Sequence, residues 1–324
     1  MIRELVRDDV GGVVRLALEL NPHQVLTEQG LAHELELPIR RERRRDWVGV
    51  EDGEIVGHAE AAFEWAVPTP GKGRFWIDVA REHRGRGIGS NLFEAAVEYL
   101  RREGAWRLES YVPGDPAGSE FLATRGFALS GRNRASGLEL RTATTREMTL
   151  PGFRLATLGE TRDRAHELHA ICVEGEIDMP SDEPETEVDF ESWCRDEFEY
   201  PDISDEGSFV VVDGDRPVSL AFVTVDPERA IGYNSMTATL RTHRRRGLAL
   251  LAKVAAARWA QQAGLERLVT ENDVSNVGML AINDRLGYAP LYVEEYYRRL
   301  LERGNARPAS AGSTCAVTQT GVVA

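Results

Sequence analysis

The sequence is poor in the features on which several large classes of protein depend. It has three cysteines, Cys172, Cys194 and Cys315, odd in number, far apart and outside any CxxC pair. That excludes a disulfide framework or a cysteine zinc site and fits reduced thiols. No run of eighteen apolar residues occurs, so no membrane-spanning helix and no membrane partner are expected. The opening MIRELVRDDV has acids where a secretory signal would be apolar, and a cytoplasmic protein is expected. Basic charge is scarce too. Lys and Arg number 39 against 53 Asp and Glu, a formal net charge of −14. A phosphate-backbone binder needs a net basic face, because cation contacts and counterion release supply most of its affinity. Nucleic acid is therefore not an expected partner, and a local arginine cluster here reads as a grip on one small polyanion.

What the 324 residues do contain is the same order of elements twice. In the first copy a strand (2–6), helical stretches (13–20 and 27–35) and strands 47–51 and 54–63, joined by Asp52-Gly53, lead to strand 74–79. The turn REHRGRGIGS and a helix over 90–102 follow, then strand 107–112 and a short helix near 119–124 that ends at Gly126. The second copy runs through strand 153–157, helix 162–173, strands 209–213 and 217–225 around Asp213-Gly214, and NSMTATL. It continues with RTHRRRGLALLAK and a helix reaching 263, strand 267–270 and a helix ending at Gly287. Asp52 to Asp213 is 161 residues, Arg84 to Arg244 is 160, and Gly126 to Gly287 is 161. Three landmarks in register predict a tandem duplication, with domains 1–145 and 150–302. Residues 303–324, rich in Ala, Ser, Thr and Gly, lack amphipathic pattern and are expected to be disordered.

The turn is the informative part. Arg84-Gly85-Arg86-Gly87-Ile88-Gly89-Ser90 and Arg244-Arg245-Arg246-Gly247-Leu248-Ala249-Leu250 each stand between a strand and a helix. Successive backbone N–H groups and a helix start converge there, which makes an anion site; glycine removes the carbon that would block a phosphate. The helix-end field is worth about 0.3–2 kcal/mol. A dinucleotide fingerprint needs G-x-G-x-x-G in a leading βαβ unit, and a P-loop needs Gly-Lys-Ser/Thr; neither is present. A solvated arginine face on a glycine-rich turn explains one copy, but less readily the same geometry twice.

Both turns fit R-x-x-G-x-[G/A], and the sequence here resembles the GNAT superfamily of acetyl-CoA-dependent N-acyltransferases, over about residues 1–302. The second copy continues with Thr270, Asn272, Asn276, Met279, Asn283 and Leu286-Gly287-Tyr288, similar to the fifth strand and fourth helix of tandem members. The resemblance implies an α/β fold of two tandem GNAT-type domains, each a mixed, splayed β-sheet flanked by helices. It implies acetyl-CoA or a related acyl-CoA as co-substrate, no metal, a small-molecule or peptide amine as acceptor, and a monomer or homodimer. The CoA pyrophosphate would lie on the turns. The pantetheine arm would lie between splayed strands, near Asn272, Asn276 and Asn283, with a backbone N–H near Leu240, or Val79 in the first copy, polarising the thioester. Helix capping and turn chemistry are the alternative for Asn272 and Asn276, and the functional reading of the set is the favoured one.

The first copy has Val112-Pro113-Gly114-Asp115-Pro116 where the second has its asparagines, so the second is expected to catalyse. The family's acid, a tyrosine four residues before Gly-Phe/Tyr, is replaced by Leu122 and Asn283. Tyr292, Tyr296 and Tyr297 are substitutes or packing residues. A non-catalytic acyl-CoA-binding module is the alternative. The run from Glu174 to Glu206 is crowded with carboxylates and would wall the second acceptor site; a solvated acidic loop is the simpler expectation. His166 and His169 lack a matching ligand set for a metal. Arg41–Arg45 (RERRR) reads as a solvated helix face, and strand alternation leaves open whether Asp78 and Glu64 face the first cleft.

Overall fold

The computed structural model describes residues 1–180 and 188–301; the expected tail, 303–324, and Cys315 lie outside them. The first repeat comprises β1 (Ile2–Glu4), α1 (Val10–Leu20), α2 (Glu28–Glu36), β2 (Arg45–Glu51), β3 (Glu54–Phe63), β4 (Lys72–Val79), α3 (Ile88–Arg102), β5 (Arg107–Pro113), α4 (Pro116–Ala123) and β6 (Ala128–Glu139). The second comprises β7 (Phe153–Thr157), α5 (Ala165–Ile177), α6 (Phe190–Trp193), β8 (Phe209–Asp213), β9 (Arg216–Asp226), β10 (Ile231–Thr239), α7 (Leu248–Gln262), β11 (Arg267–Asp273), α8 (Val277–Leu286) and β12 (Ala289–Leu300). Asp-Gly turns close the β2–β3 and β8–β9 hairpins. Positive φ at Asp52, Gly53 and Gly214 gives such turns the twist their strands require. No helix among the described residues is long and apolar enough to cross a membrane.

The twelve strands of the described residues form one mixed sheet, in the order β1-β2-β3-β4-β5-β12-β6-β11-β10-β9-β8-β7. Read outward from the β12–β6 seam, the two halves repeat each other strand for strand. The last strands are exchanged. β12 of the second repeat pairs with β5 of the first, from Glu294↔Pro113 to Leu300↔Arg107, and β6 of the first pairs with β11 of the second, from Arg267↔Glu139 to Asp273↔Asn133. Each repeat is thus completed by a strand of the other.

In both repeats the central parallel pair is short. β4 and β5 pair only at Lys72↔Arg107, Gly73↔Leu108 and Arg74↔Glu109; β10 and β11 pair only at Ile231↔Arg267, Gly232↔Leu268 and Tyr233↔Val269. Beyond those residues the strands part, leaving a V that opens towards the arginine turn. β10 also carries an irregularity between Tyr233 and Met236 in its pairing with β9, which β4 lacks against β3.

On one face of the first V, Phe75 of β4 packs on Phe93 of α3 and on Phe127. Trp76 and Asp78 point to the other face. In the second repeat, Met236 and Ala238 stand in the places of Trp76 and Asp78, and α5 covers them. A Cβ on Gly175 of α5 would lie 2.8 Å from the Cβ of Ala238. Ile171, Cys172, Trp193, Phe198, Met236 and Ala238 there share one buried core.

Candidate active site

The two turns are built alike. Helices α3 and α7 begin at Gly87 (φ +89°) and Gly247 (φ +83°), and neither start is capped by a side chain. Arg86 and Gly87, like Arg245, Arg246 and Gly247, are exposed; Gly85 is exposed too, whereas Ile88, Leu248 and Leu250 are buried and Gly89, Ser90 and Ala249 half-buried. The last turn of each V therefore presents uncapped helix-start amides to solvent, as an anion site requires. Arg84 and Arg244 have another task. Arg84 Nε donates to the carbonyl of Val79 at 3.1 Å and Arg244 Nε to that of Thr239 at 2.9 Å, folding each turn back on its strand. Their terminal nitrogens are held by Asp115 (2.8 Å) and Asp178 (2.7 Å). Ser90 accepts from Arg125 at 2.8 Å. Arg86 donates to the Glu82 carbonyl at 3.0 Å and makes a long contact of 3.5 Å with Glu51, and Arg246 lies over the ring of Phe153.

The amide of Leu240 itself is not free for the role expected near it. Leu240 N–H donates to Val218 O at 3.0 Å, so it is spent within the sheet; its counterpart Ala80 is spent on Val56 in the same way. Alternation of an antiparallel ladder then turns the amides of Val79 and Thr239 away from β3 and β9 and into the two Vs.

The asparagines are largely occupied by the protein. Asn276 caps α8, its Oδ1 accepting from Met279 N–H at 3.2 Å. Asn283 is wholly enclosed and donates to Asn272 Oδ1 at 2.7 Å. Capping occupies Asn276 and cross-bracing joins Asn272 to Asn283, while Asn283 Oδ1 is left without a partner.

A cavity of about 480 Å³ lies on the face opposite α3. Its walls include Trp76 and Asp78 of β4, Tyr111 of β5, the α1–α2 segment, and, from the other repeat, Tyr233, Glu271, Tyr292 and Glu294. Both arms of the first V border it, whereas the second V meets it only near its apex, at Tyr233 and Glu271. The strand exchange carries Tyr292 and Glu294 into the cavity on β12.

One wall is a closed ion network. Arg44 is buried between Asp46 (2.9 Å), Glu34 (2.7 Å) and Glu60 (3.2 Å), and Arg74 binds Glu60 (2.6 Å) and Glu42. RERRR is accordingly not a helix face: Arg44 enters β2 from within the protein, and Arg43 lies over Phe63. Elsewhere in the lining three carboxylates are bonded to neutral donors. Trp76 Nε1 donates to Asp78, Tyr292 OH to Glu271 and Tyr296 OH to Glu294, each at 2.7 Å. Burial raises all three carboxyls above their ordinary range; for Glu294, burial together with the charge of Glu271 pushes it up to about 7.

Of the acidic run, Asp196 and Tyr200 reach the cavity, Trp193 and Phe198 are core, and residues 181–187 lie outside the described residues. Tyr292 faces the cavity and Tyr297 is packed in the first repeat's core. His169 bonds the Val188 carbonyl at 2.7 Å, and no group of three or more His, Cys, Asp or Glu is poised for a metal ion among the described residues.

The acetyltransferase (GNAT) family model matches residues 14–127 and 166–288, one match in each repeat. The chain belongs to the GNAT family. Its fold is similar to that of a tandem GNAT protein from the clavulanic acid biosynthesis pathway, at 21% identity and TM-score 0.74 over 93% of this chain and 98% of that one. A GNAT from Sphaerobacter thermophilus aligns at 18% identity and TM-score 0.66, covering 93% and 95%. A glucosamine N-acetyltransferase region of a fungal multi-domain β-N-acetylglucosaminidase aligns at 15% and 0.64, covering 92% of this chain and 38% of that one. At these identities the likeness is one of fold. No curated protein matches the chain. Within the GNAT fold, the residues that sequence reasoning missed are Trp76, Tyr111, Glu271 and Glu294. Tyr111, Glu271 and Glu294 lie on strands with a neighbour from the other repeat, Trp76 lies on β4 between β3 and β5, and no local motif marks any of them.

Proposed function

We propose that the protein is an N-acyltransferase whose first repeat holds an acyl-CoA, acetyl-CoA in the simplest case, and passes the acyl group to an amine standing in the central cavity. The observation that carries this is the asymmetry of the two Vs: both arms of the first line the cavity, while α5 fills the matching space of the second. The expectation that the second repeat catalyses rested on its asparagines, and the cap at Asn276 and the Asn272–Asn283 bond give these side chains partners within the protein.

In this reading the diphosphate sits on the amides of 85–90 and the thioester carbonyl is polarised by Val79 N–H. One such donor is worth about 2.7–4 kcal/mol where it has been measured. An ammonium of pKa about 10.4 costs roughly 4.6 kcal/mol to deprotonate at pH 7. Glu294, raised to about 7, is matched to receive that proton. Asp78, Glu271 and Glu294 in the lining favour a cationic acceptor, and Trp76, Tyr111 and Tyr292 give it aromatic faces. Amine attack breaks the C–S bond and releases CoA thiol.

CoA thiol release with an amine panel tests the assignment. Gly87→Glu, which sets a carboxylate against the diphosphate, is expected to abolish release, while Gly247→Glu leaves most of it. The reverse result would put the chemistry in the second repeat, and no release by the unmodified chain despite acyl-CoA binding would favour the binding module.

A further inference from the structure

The second repeat keeps the anion turn and the V but has lost the space for an external amine. Behind that V lies a second departure from the first repeat. There, Phe75, Phe93 and Phe127 form an aromatic core, with ring centroids 5.6, 5.6 and 6.2 Å apart, beside Ile77 and Leu122. The 160–161-residue register puts Ser235, Lys253, Tyr288, Thr237 and Asn283 in those five places. The core contact between helix and Gly-Phe/Tyr survives in altered form: Lys253 Nζ lies 5.3 Å from the Tyr288 ring centroid. Lys253 is 1% exposed, and no carboxylate or hydrogen-bond acceptor engages it among the described residues. Ser235 Oγ, Thr237 Oγ1 and Asn283 Oδ1 are buried without partners. Three orphaned polar atoms and an unpaired amine, where the sister repeat is aromatic, imply a space that something polar enters.

That space adjoins the V. Tyr288 OH reaches Asn234 Oδ1 at 3.5 Å, and Asn234 directly follows Tyr233, the last β10 residue paired with β11. With Met236 and Ala238 turned towards α5, alternation turns Thr237 and Thr239 towards α7, the helix that carries Lys253, and Ser235 lies in the β10 irregularity just before them. We propose that Lys253 is an acyl acceptor: an acyl-CoA bound in the second V transfers its acyl group to this amine, so that the second repeat acylates itself. This rests on the reading that residues 244–250 hold a CoA diphosphate.

The step needs no co-reactant. Neutral Nζ attacks the thioester carbonyl, the C–S bond breaks, and the proton lost by nitrogen goes to the departing thiolate, giving an amide and free CoA. Burial alone pushes the lysine down to about 7, so a large part of it is neutral near physiological pH. The chain's other lysine, Lys72, is in the first repeat on β4, so the modified residue is readily assigned.

The full-length chain is incubated with isotope-labelled acetyl-CoA and analysed by intact mass and peptide mapping. One acetyl per chain is expected, on Lys253, with the initial rate rising about tenfold from pH 6 to pH 8 as the amine loses its proton. Gly247→Glu and Lys253→Arg should lose the label and Gly87→Glu keep it. Should the arginine variant fold poorly, the peptide map and pH profile of the unmodified chain decide alone. Label on Lys72 or the N-terminal amine, or none on Lys253 although calorimetry shows the Gly87→Glu chain holding acetyl-CoA, overturns self-acylation and leaves the turn reading intact. No acetyl-CoA bound by Gly87→Glu overturns both.

Discussion

Glu294 joins sequence, burial and chemistry in one side chain. Strand exchange carries it into the cavity, where it is 5% exposed and accepts from Tyr296. Its folded pKa of about 7 lies above the ordinary 4.5, so between those values the native state binds more protons than the unfolded chain. Stability must then fall as pH rises through that window. Glu294→Gln removes the penalty. Its melting temperature is expected to exceed that of the unmodified chain at pH 8 and to match it at pH 4, as differential scanning calorimetry would read. If Glu294 takes the proton from the acceptor, the same variant loses most of its amine-dependent thiol release.

At the scale of the element, α8 and the two turns separate capping from binding. Asn276 accepts the Met279 amide at the start of α8, so Asn276→Ala is expected to cost about 0.5–2 kcal/mol of stability in urea unfolding. The affinity of the Gly87→Glu background for acetyl-CoA should stay unchanged; a large loss would return Asn276 to the ligand. The turns were legible because their chemistry is local: positive φ at a glycine, an uncapped helix start and a preceding strand are all written within ten residues. Arg44 shows the opposite case. Its neighbours in sequence are arginines, while its partners in space are Glu34, Asp46 and Glu60, and three of these four residues are on different elements.

At the scale of the molecule, the exchange of β6 and β12 makes the repeats interdependent. A fragment ending at residue 145 would leave β5 without β12 and β6 without either neighbour; a fragment from 150 would leave β12 and β11 in the same position. Separately produced, the halves are expected to aggregate or remain unfolded, because unpaired strands seek other edges. Co-expressed, they should recover the far-UV circular dichroism and acyl-CoA binding of the intact chain. Independent, monomeric folding of either half would contradict the exchange.

Local pattern by itself determined the duplication, the order of elements within each copy, the Asp-Gly hairpins and the two glycine-arginine turns at uncapped helix starts, since each depends on backbone preferences and apolar period over short spans. Tertiary structure alone decided which strands are neighbours, and with them the cavity, the fate of the asparagines and the contrast between the repeats. A strand's alternation says which residues share a face but not which strand comes beside it. Here the deciding neighbours, β5 with β12 and β6 with β11, come from opposite halves of the chain.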